Sequence, residues 1–171
     1  MGFRNHFLLL SLMAAFLAVT VNATPPTPHP KPLHQFHIPK PEEKGVNSIG
    51  VQGMIYCKAG SELMPLEGAM ARITCIAVDK HGFETSSYTV MSETDKAGYF
   101  LATMPLAELK EIGNITECKG YLEMSPLMAC SIPTDVNKGM TGATLLGPRV
   151  LLNNKMHLYS VGPLEYKPVS S

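Results

Sequence analysis

Tryptophan is absent from the 171 residues, and aromatic side chains of every kind make up only 7%. The broadest ring surface for stacking is therefore missing, and any aromatic contact falls to tyrosine and phenylalanine. Neither sign of charge is in excess: lysine plus arginine and aspartate plus glutamate number 14 each. A basic footprint for nucleic acid is excluded by that balance. There is no Cys-x-x-Cys, and the four cysteines stand 18, 43 and 12 residues apart (57 to 75, 75 to 118, 118 to 130). Zinc ligands cluster more tightly than that, so no metal site is expected. No nucleophile elbow or phosphate-binding loop occurs. Glu62, Glu67, Glu93 and Asp95 are carboxylates that no spacing marks as a catalytic pair. The chain thus carries no sequence sign of an enzyme or of a bound cofactor.

What is present begins with a leader. Arg4 supplies its positive end, an apolar run extends from Phe7 to Val19, and Val21-Asn22-Ala23 closes it. This pattern predicts a secretory signal, residues 1–23, cleaved after Ala23. The run is shorter than the ~20 residues that a spanning helix requires, and no later segment is long enough, so no membrane attachment is expected after cleavage. The end of the chain, Glu165 to Ser171, is neither an apolar anchor tail nor a retention signal. Loss of Arg4 leaves thirteen basic against fourteen acidic side chains. The histidines, with an ordinary pKa near 6.5, would add positive charge in an acidic compartment and allow weak affinity for acidic polymers.

Residues 24–45 form a proline-rich arm holding Pro25, Pro26, Pro28, Pro30, Pro32, Pro39 and Pro41 with almost no core-forming material. Fixed backbone angles and missing amide donors predict an extended, solvated segment, a spacer. His29, His34 and His37 lie on it, and in an extended chain they converge on no metal.

From residue 46 to 171 short apolar runs alternate with glycine turns, the texture of one β-rich domain with a flexible C-terminal tail. Candidate strands are Ile49 to Cys57, Met70 to Val78, Thr85 to Met91, Tyr99 to Thr103, Glu117 to Met124, Ala143 to Leu146 and Met156 to Val161. In the second, Ala71, Ile73, Cys75 and Ala77 alternate with Arg72, Thr74 and Ile76, the period of a strand with one face inward. Asp95-Lys96-Ala97-Gly98 and Lys80-His81-Gly82 are turn signals. Leu106, Leu109 and Ile112 predict a short helix within 104–112. The fold class is all-β: a single antiparallel sandwich or barrel of about seven strands. An even set of cysteines in an oxidising compartment predicts two disulfides, with three pairings open, each closed loop stabilising by roughly 3 to 4 kcal/mol.

Val51-Gln52-Gly53-Met54-Ile55-Tyr56-Cys57, Pro65-Leu66-Glu67-Gly68-Ala69 leading into Arg72-Ile73-Thr74-Cys75, and Thr94-Asp95 with Gly98-Tyr99-Phe100 together resemble the pollen Ole e I and extensin family. Glu117-Cys118-Lys119-Gly120-Tyr121-Leu122, Ser125-Pro126-Leu127, Cys130, Pro133-Thr134 and Gly139 continue the likeness. A proline-rich arm before such a domain is similar to plant proline-rich and non-classical arabinogalactan-type proteins. The resemblance implies a secreted, non-enzymatic protein of the plant cell wall or apoplast, contributing to wall structure or surface protection, for example in root hair or seed coat. Its implied partners are wall polysaccharides, pectin or galactan, or wall glycoproteins. A soluble binding module of apoplast or pollen, taking a small ligand or a receptor, is the alternative. The family usually has six cysteines. Gly60 stands where the second is expected and a late one is missing, so the likeness implies Cys57 with Cys130 and leaves Cys75 and Cys118 to each other.

Two further positions carry chemistry. Asn114-Ile115-Thr116 is an N-glycosylation acceptor expected in a loop before a strand. Tyr166, in Tyr166-Lys167-Pro168-Val169, resembles the short units of wall proteins that undergo oxidative coupling, and is a candidate crosslinking residue. Tyr56, Tyr88, Tyr99, Tyr121 and Tyr159 lie on expected strands and read as packing residues with a hydroxyl at the edge.

Overall fold

The computed structural model describes residues 45–151, 153 and 155–169. The leader, and the arm apart from Gly45, lie outside the described residues.

Two sheets face each other across one core. The first is organised by β1 (Ser48–Ala59), whose inward positions Ile49, Val51, Ile55 and Cys57 are buried while Gln52, Met54 and Tyr56 face outward. Strand β1 is long enough to change neighbours on both sides. Along its first half it pairs antiparallel with β5 (Tyr99–Pro105) and parallel with β10 (Met156–Ser160). Along its second half it pairs antiparallel with β2 (Glu62–Pro65) and parallel with β11 (Leu164–Lys167). Outer partners are β9 (Leu146–Leu151) against β10 and β7 (Ile132–Pro133) against β11. The second sheet runs in the order β4 (Glu84–Glu93), β3 (Met70–Val78), β6 (Asn114–Met124), β8 (Ala143–Thr144), all antiparallel.

The all-β sandwich stands, with two refinements. Among the described residues there are eleven strands, the additional ones being β2, β7, β9 and β11, and the first sheet is mixed because β10 and β11 run parallel to β1. The short helix α1 spans Leu106–Glu111 and buries Leu106 and Leu109. It begins after Pro105 because β5 keeps its pairing through that residue, and the Leu106 amide donates to the Asn47 carbonyl at 2.9 Å.

The core is built from Ala71, Ile73, Cys75 and Ala77 on β3 and Ile49, Val51, Phe100 and Met104 on β1 and β5, all 1% exposed or less. Gly53 packs closely: a Cβ there would lie 2.7 Å from the Phe100 ring and from Val161. The turn Asp95–Gly98 is held by the Asp95 carboxylate, whose Oδ1 accepts from the Ala97 and Tyr99 amides. Gly98 sits at φ +74° with a hypothetical Cβ 2.6 Å from the Ile55 carbonyl, so only glycine lets this turn close on β1.

Two disulfides lie inside. Cys75 and Cys118 are directly opposed on β3 and β6, and Cys57 on β1 reaches Cys130, the end of a 3-10 turn over Met128–Cys130. These joints and the course of β6 give the molecule two poles. At one, β1 begins, α1 packs and β6 starts at Asn114; at the other, β2, the Cys57–Cys130 link and the end of β6 meet.

The expectation of a flexible C-terminal tail does not survive. Residues Leu164–Lys167 form strand β11, gripped between β1 and β7, with Leu164 and Tyr166 buried. Beyond it, the Val169 amide still donates to the Ala129 carbonyl at 3.1 Å. Backbone pairing on both edges, with an apolar side chain inward, fixes what composition alone read as a free end.

Candidate functional site

Three features of the surface carry polar groups in organised positions. The largest is the outward face of the β4-β3-β6-β8 sheet. Strand alternation puts Arg72 and Thr74 of β3 there, and register places Met91 and Thr89 of β4 and Tyr121 and Lys119 of β6 beside them. The Arg72 guanidinium lies 4.3 Å above the Tyr121 ring, donates from Nε to Glu123 at 2.8 Å and from Nη1 to the Thr74 hydroxyl at 3.0 Å. Thr74 and Thr89 hydroxyls meet at 3.1 Å across the strand pair. Lys119 lies 2.9 Å from Glu117, a hydrogen bond that raises its pKa. Thr144 on β8 lies opposite Lys119 and is exposed. The result is a flat platform of hydroxyls, one stacked guanidinium and one ammonium, each oriented by a neighbour.

The second is a notch on the outward face of the first sheet where β1 changes partners. The Tyr99 hydroxyl donates to Gln52 Oε1 at 3.2 Å, and Gln52 Nε2 donates to the Ser160 hydroxyl at 3.0 Å, one chain of bonds crossing β5, β1 and β10. With Gly53, Met54 and Val161 these residues line a shallow space of ≈ 270 Å³. Burial, and then the Asp95 charge, raise the Tyr99 pKa.

The third is a concavity of ≈ 240 Å³ at the disulfide pole, lined by Leu122, Glu123, Met124, Ser125, Ser131, Pro133 and Tyr166. The loop after β7 frames it. Asp135 Oδ1 accepts from the Met140 and Thr141 amides, contacts that lower its pKa, and the Thr134 amide donates to the Glu165 carbonyl.

Tyr166 therefore requires a correction. Its side chain is 2% exposed, on a strand paired at Cys57 and Pro133. Oxidative coupling needs an accessible ring, so the crosslinking role assigned to a mobile tail is overturned by burial. Burial, and then the charge of Glu123, push its pKa up to about 12. The sequon is exposed, at Asn114 and Thr116, but it forms the first residues of β6 instead of a preceding loop, with Asn114 opposite Val78. The four cysteines are all buried and all bonded. Sequence reasoning missed the platform because its members, Arg72, Thr74, Thr89, Lys119 and Tyr121, are scattered over three strands. The outward alternation in each strand was the only signal available.

No family model matches the chain. It is 42% identical over 127 residues to the seed and root hair protective protein of Arabidopsis thaliana, a match covering 74% of this chain and 77% of that protein. The chain belongs to the pollen Ole e I and extensin family. Within this family it is also 36% identical over 119 residues to Proline-rich protein 3 of Arabidopsis thaliana, covering 68% of this chain and 36% of that longer protein. Among solved structures it is similar to the major plantain pollen allergen Pla l 1, with a TM-score of 0.46 and 20% identity over 72% of this chain and 96% of that one. Its departure from the six-cysteine pattern of the Ole e I and extensin family has a local setting. Gly60, in the turn between β1 and β2, sits at φ +62° with nothing within 4 Å of a would-be Cβ.

Proposed function

We propose that this member of the Ole e I and extensin family is a secreted, non-enzymatic cell-wall protein that contributes to wall structure or surface protection by associating with matrix polysaccharide. The platform centred on Arg72, Tyr121, Thr74, Thr89 and Lys119 carries the reading. A polysaccharide presents rows of hydroxyls and, in pectin, carboxylates. A flat sheet face with oriented hydroxyls and cations meets such a surface through many weak contacts. The proline-rich arm that precedes the domain in the sequence would add a second point of attachment, and linked weak contacts retain a protein on a polymer far better than either alone. The 42% identity to a protein named for protecting seed and root hair supports the same reading. So does the position of Asp95, whose carboxylate is engaged in a turn instead of facing a second acid.

The test is retention of the secreted protein on pectin, galactan, xylan and xyloglucan at pH 5 to 6. Retention on at least one polymer is expected, weakened about tenfold by the paired change Arg72→Ala and Lys119→Ala, since two charge-assisted contacts are lost. Unchanged retention in that variant would remove the platform from the account. No retention at all would leave wall glycoproteins as the partner. The notch at Tyr99, Gln52 and Ser160 favours a second reading, a binding module for a small hydroxylated ligand, for which saturable binding sensitive to Gln52→Ala is the expected sign.

A further inference from the structure

The concavity at the disulfide pole differs from the platform in one respect: it holds a polar group that the fold leaves unused. Tyr166 is 2% exposed and lines this space, yet its hydroxyl makes no hydrogen bond among the described residues. The hydroxyl is not sealed inside the protein but opens on this concavity, where a ligand can reach it. The other polar groups of the lining have protein partners but keep spare capacity. The Ser125 hydroxyl donates to the Cys130 carbonyl at 2.8 Å and accepts from the Leu127 amide at 3.3 Å, which leaves it one lone pair, while Ser131 donates to the Met128 carbonyl at 3.0 Å and its oxygen still accepts. Glu123 receives Arg72 on one oxygen, Oε2, and its other oxygen stays open. Leu122, Met124 and Pro133 supply apolar surface between these groups.

We propose that this concavity binds a single neutral sugar ring, a chain end or a branch unit of a polysaccharide, with Tyr166 and Glu123 as the residues that set its specificity. The inference rests on the polysaccharide reading above and deepens it. At ≈ 240 Å³ the space is smaller than the ~300 to 1,000 Å³ of pockets for drug-sized ligands, which suits one ring and not a long segment. A pyranose offers C–H faces to the apolar side chains and hydroxyls that both donate and accept. Tyr166 can donate, Glu123 accepts from a sugar hydroxyl, and Ser131 and the remaining lone pair of Ser125 accept two more. Charge selects against a uronate. Arg72 is committed to Glu123, Thr74 and the Tyr121 ring and is not part of the lining, so among the described residues the only ionised group lining the space is the Glu123 carboxylate. A second carboxylate there would meet the Glu123 charge, offset only in part by the exposed ion pair with Arg72 at 2.8 Å. The site also stands at the pole away from Asn114, so a glycan on that residue leaves it open.

Amide chemical shifts of the full secreted chain, recorded with β-1,4-linked tetrasaccharides of xylose, galactose or glucose and with tetragalacturonate, test this. At least one neutral tetrasaccharide is expected to move the Ser125, Ser131 and Tyr166 amides and to bind Tyr166→Phe about fivefold more weakly, the loss of one neutral hydrogen bond. Tetragalacturonate is expected to leave those amides still, and to move them in Glu123→Gln, which keeps the shape and removes the charge. The proposal is overturned if no neutral tetrasaccharide moves those amides, or if Tyr166→Phe binds as the wild type does. Retention of whole polymers together with still Ser125, Ser131 and Tyr166 amides under every neutral tetrasaccharide would overturn this site while leaving the platform reading intact. Failure of both proteins to hold any polymer would overturn both.

Discussion

Thr94 shows how much one hydroxyl organises. It is 4% exposed, accepts from the Ala69 amide at 2.8 Å and donates to the Leu66 carbonyl, tying the segment before β3 to the end of β4. Thr94→Val keeps the shape but strands both backbone groups. A loss of about 1 to 3 kcal/mol is expected, read as a lower urea midpoint with an unchanged slope. Tyr166 makes a different prediction at the same scale. Its pKa, about 12 when folded, lies above the ordinary value of 10, so folding favours the protonated phenol. That contribution is complete below pH 10 and is lost as pH rises from 10 toward 12. A spectrophotometric titration should find one of the six tyrosines ionising late, and Tyr166→Phe should abolish that phase. Single residues were only partly legible beforehand. Thr94 was visible as part of a family motif, whereas the burial of Tyr166 was hidden because its short strand sits between Pro163 and Pro168 and reads as tail.

Among elements, β3 was the most legible. Its bounds follow directly from the alternation of Ala71, Ile73, Cys75 and Ala77, since a strand with one face in the core must repeat every second residue. Strand β2 was illegible for the opposite reason: every residue of Glu62–Pro65 is exposed, so no hydrophobic period exists to read. Strands β10 and β11 join β1 in parallel across about a hundred residues of chain, and parallel pairing leaves no turn signature. The β3–β6 joint yields a prediction. Cys75 and Cys118 close a loop of 43 residues between directly paired strands. Replacing both with alanine is expected to cost about 4 kcal/mol, most of it by freeing the unfolded chain, and to lower the melting temperature sharply. The cysteines sit at 0% and 3% exposure, so mild reductant without denaturant should leave the fold in place.

At the level of the whole molecule, function divides between poles and faces. Asn114 stands where β6 begins, near the start of β1, and both it and Thr116 are exposed. Expression through a secretory route should give a form that shifts on glycosidase treatment. Asn114→Gln should remove the shift without changing thermal stability, because the side chain packs against nothing in the core. The glycan and the outward platform on the β4-β3-β6-β8 sheet then lie on one continuous strand, β6, which carries Lys119 and Tyr121 between Asn114 and Glu123. Sequence reading located the sequon, and every platform residue lay within a strand it had drawn. The assembly of those residues into one surface was a matter of pairing.

By itself the chain determined its class: short alternating runs and glycine turns specify strands, because these are local properties of composition and period. Tertiary structure decided everything that depends on residues far apart. It set which strands run parallel, which cysteines meet, that Tyr166 is a buried lining residue, and that Arg72, Thr74, Lys119 and Tyr121 share a face. Pairing register is a non-local choice, settled by the joint burial of one face of every strand at once, and no single segment records it.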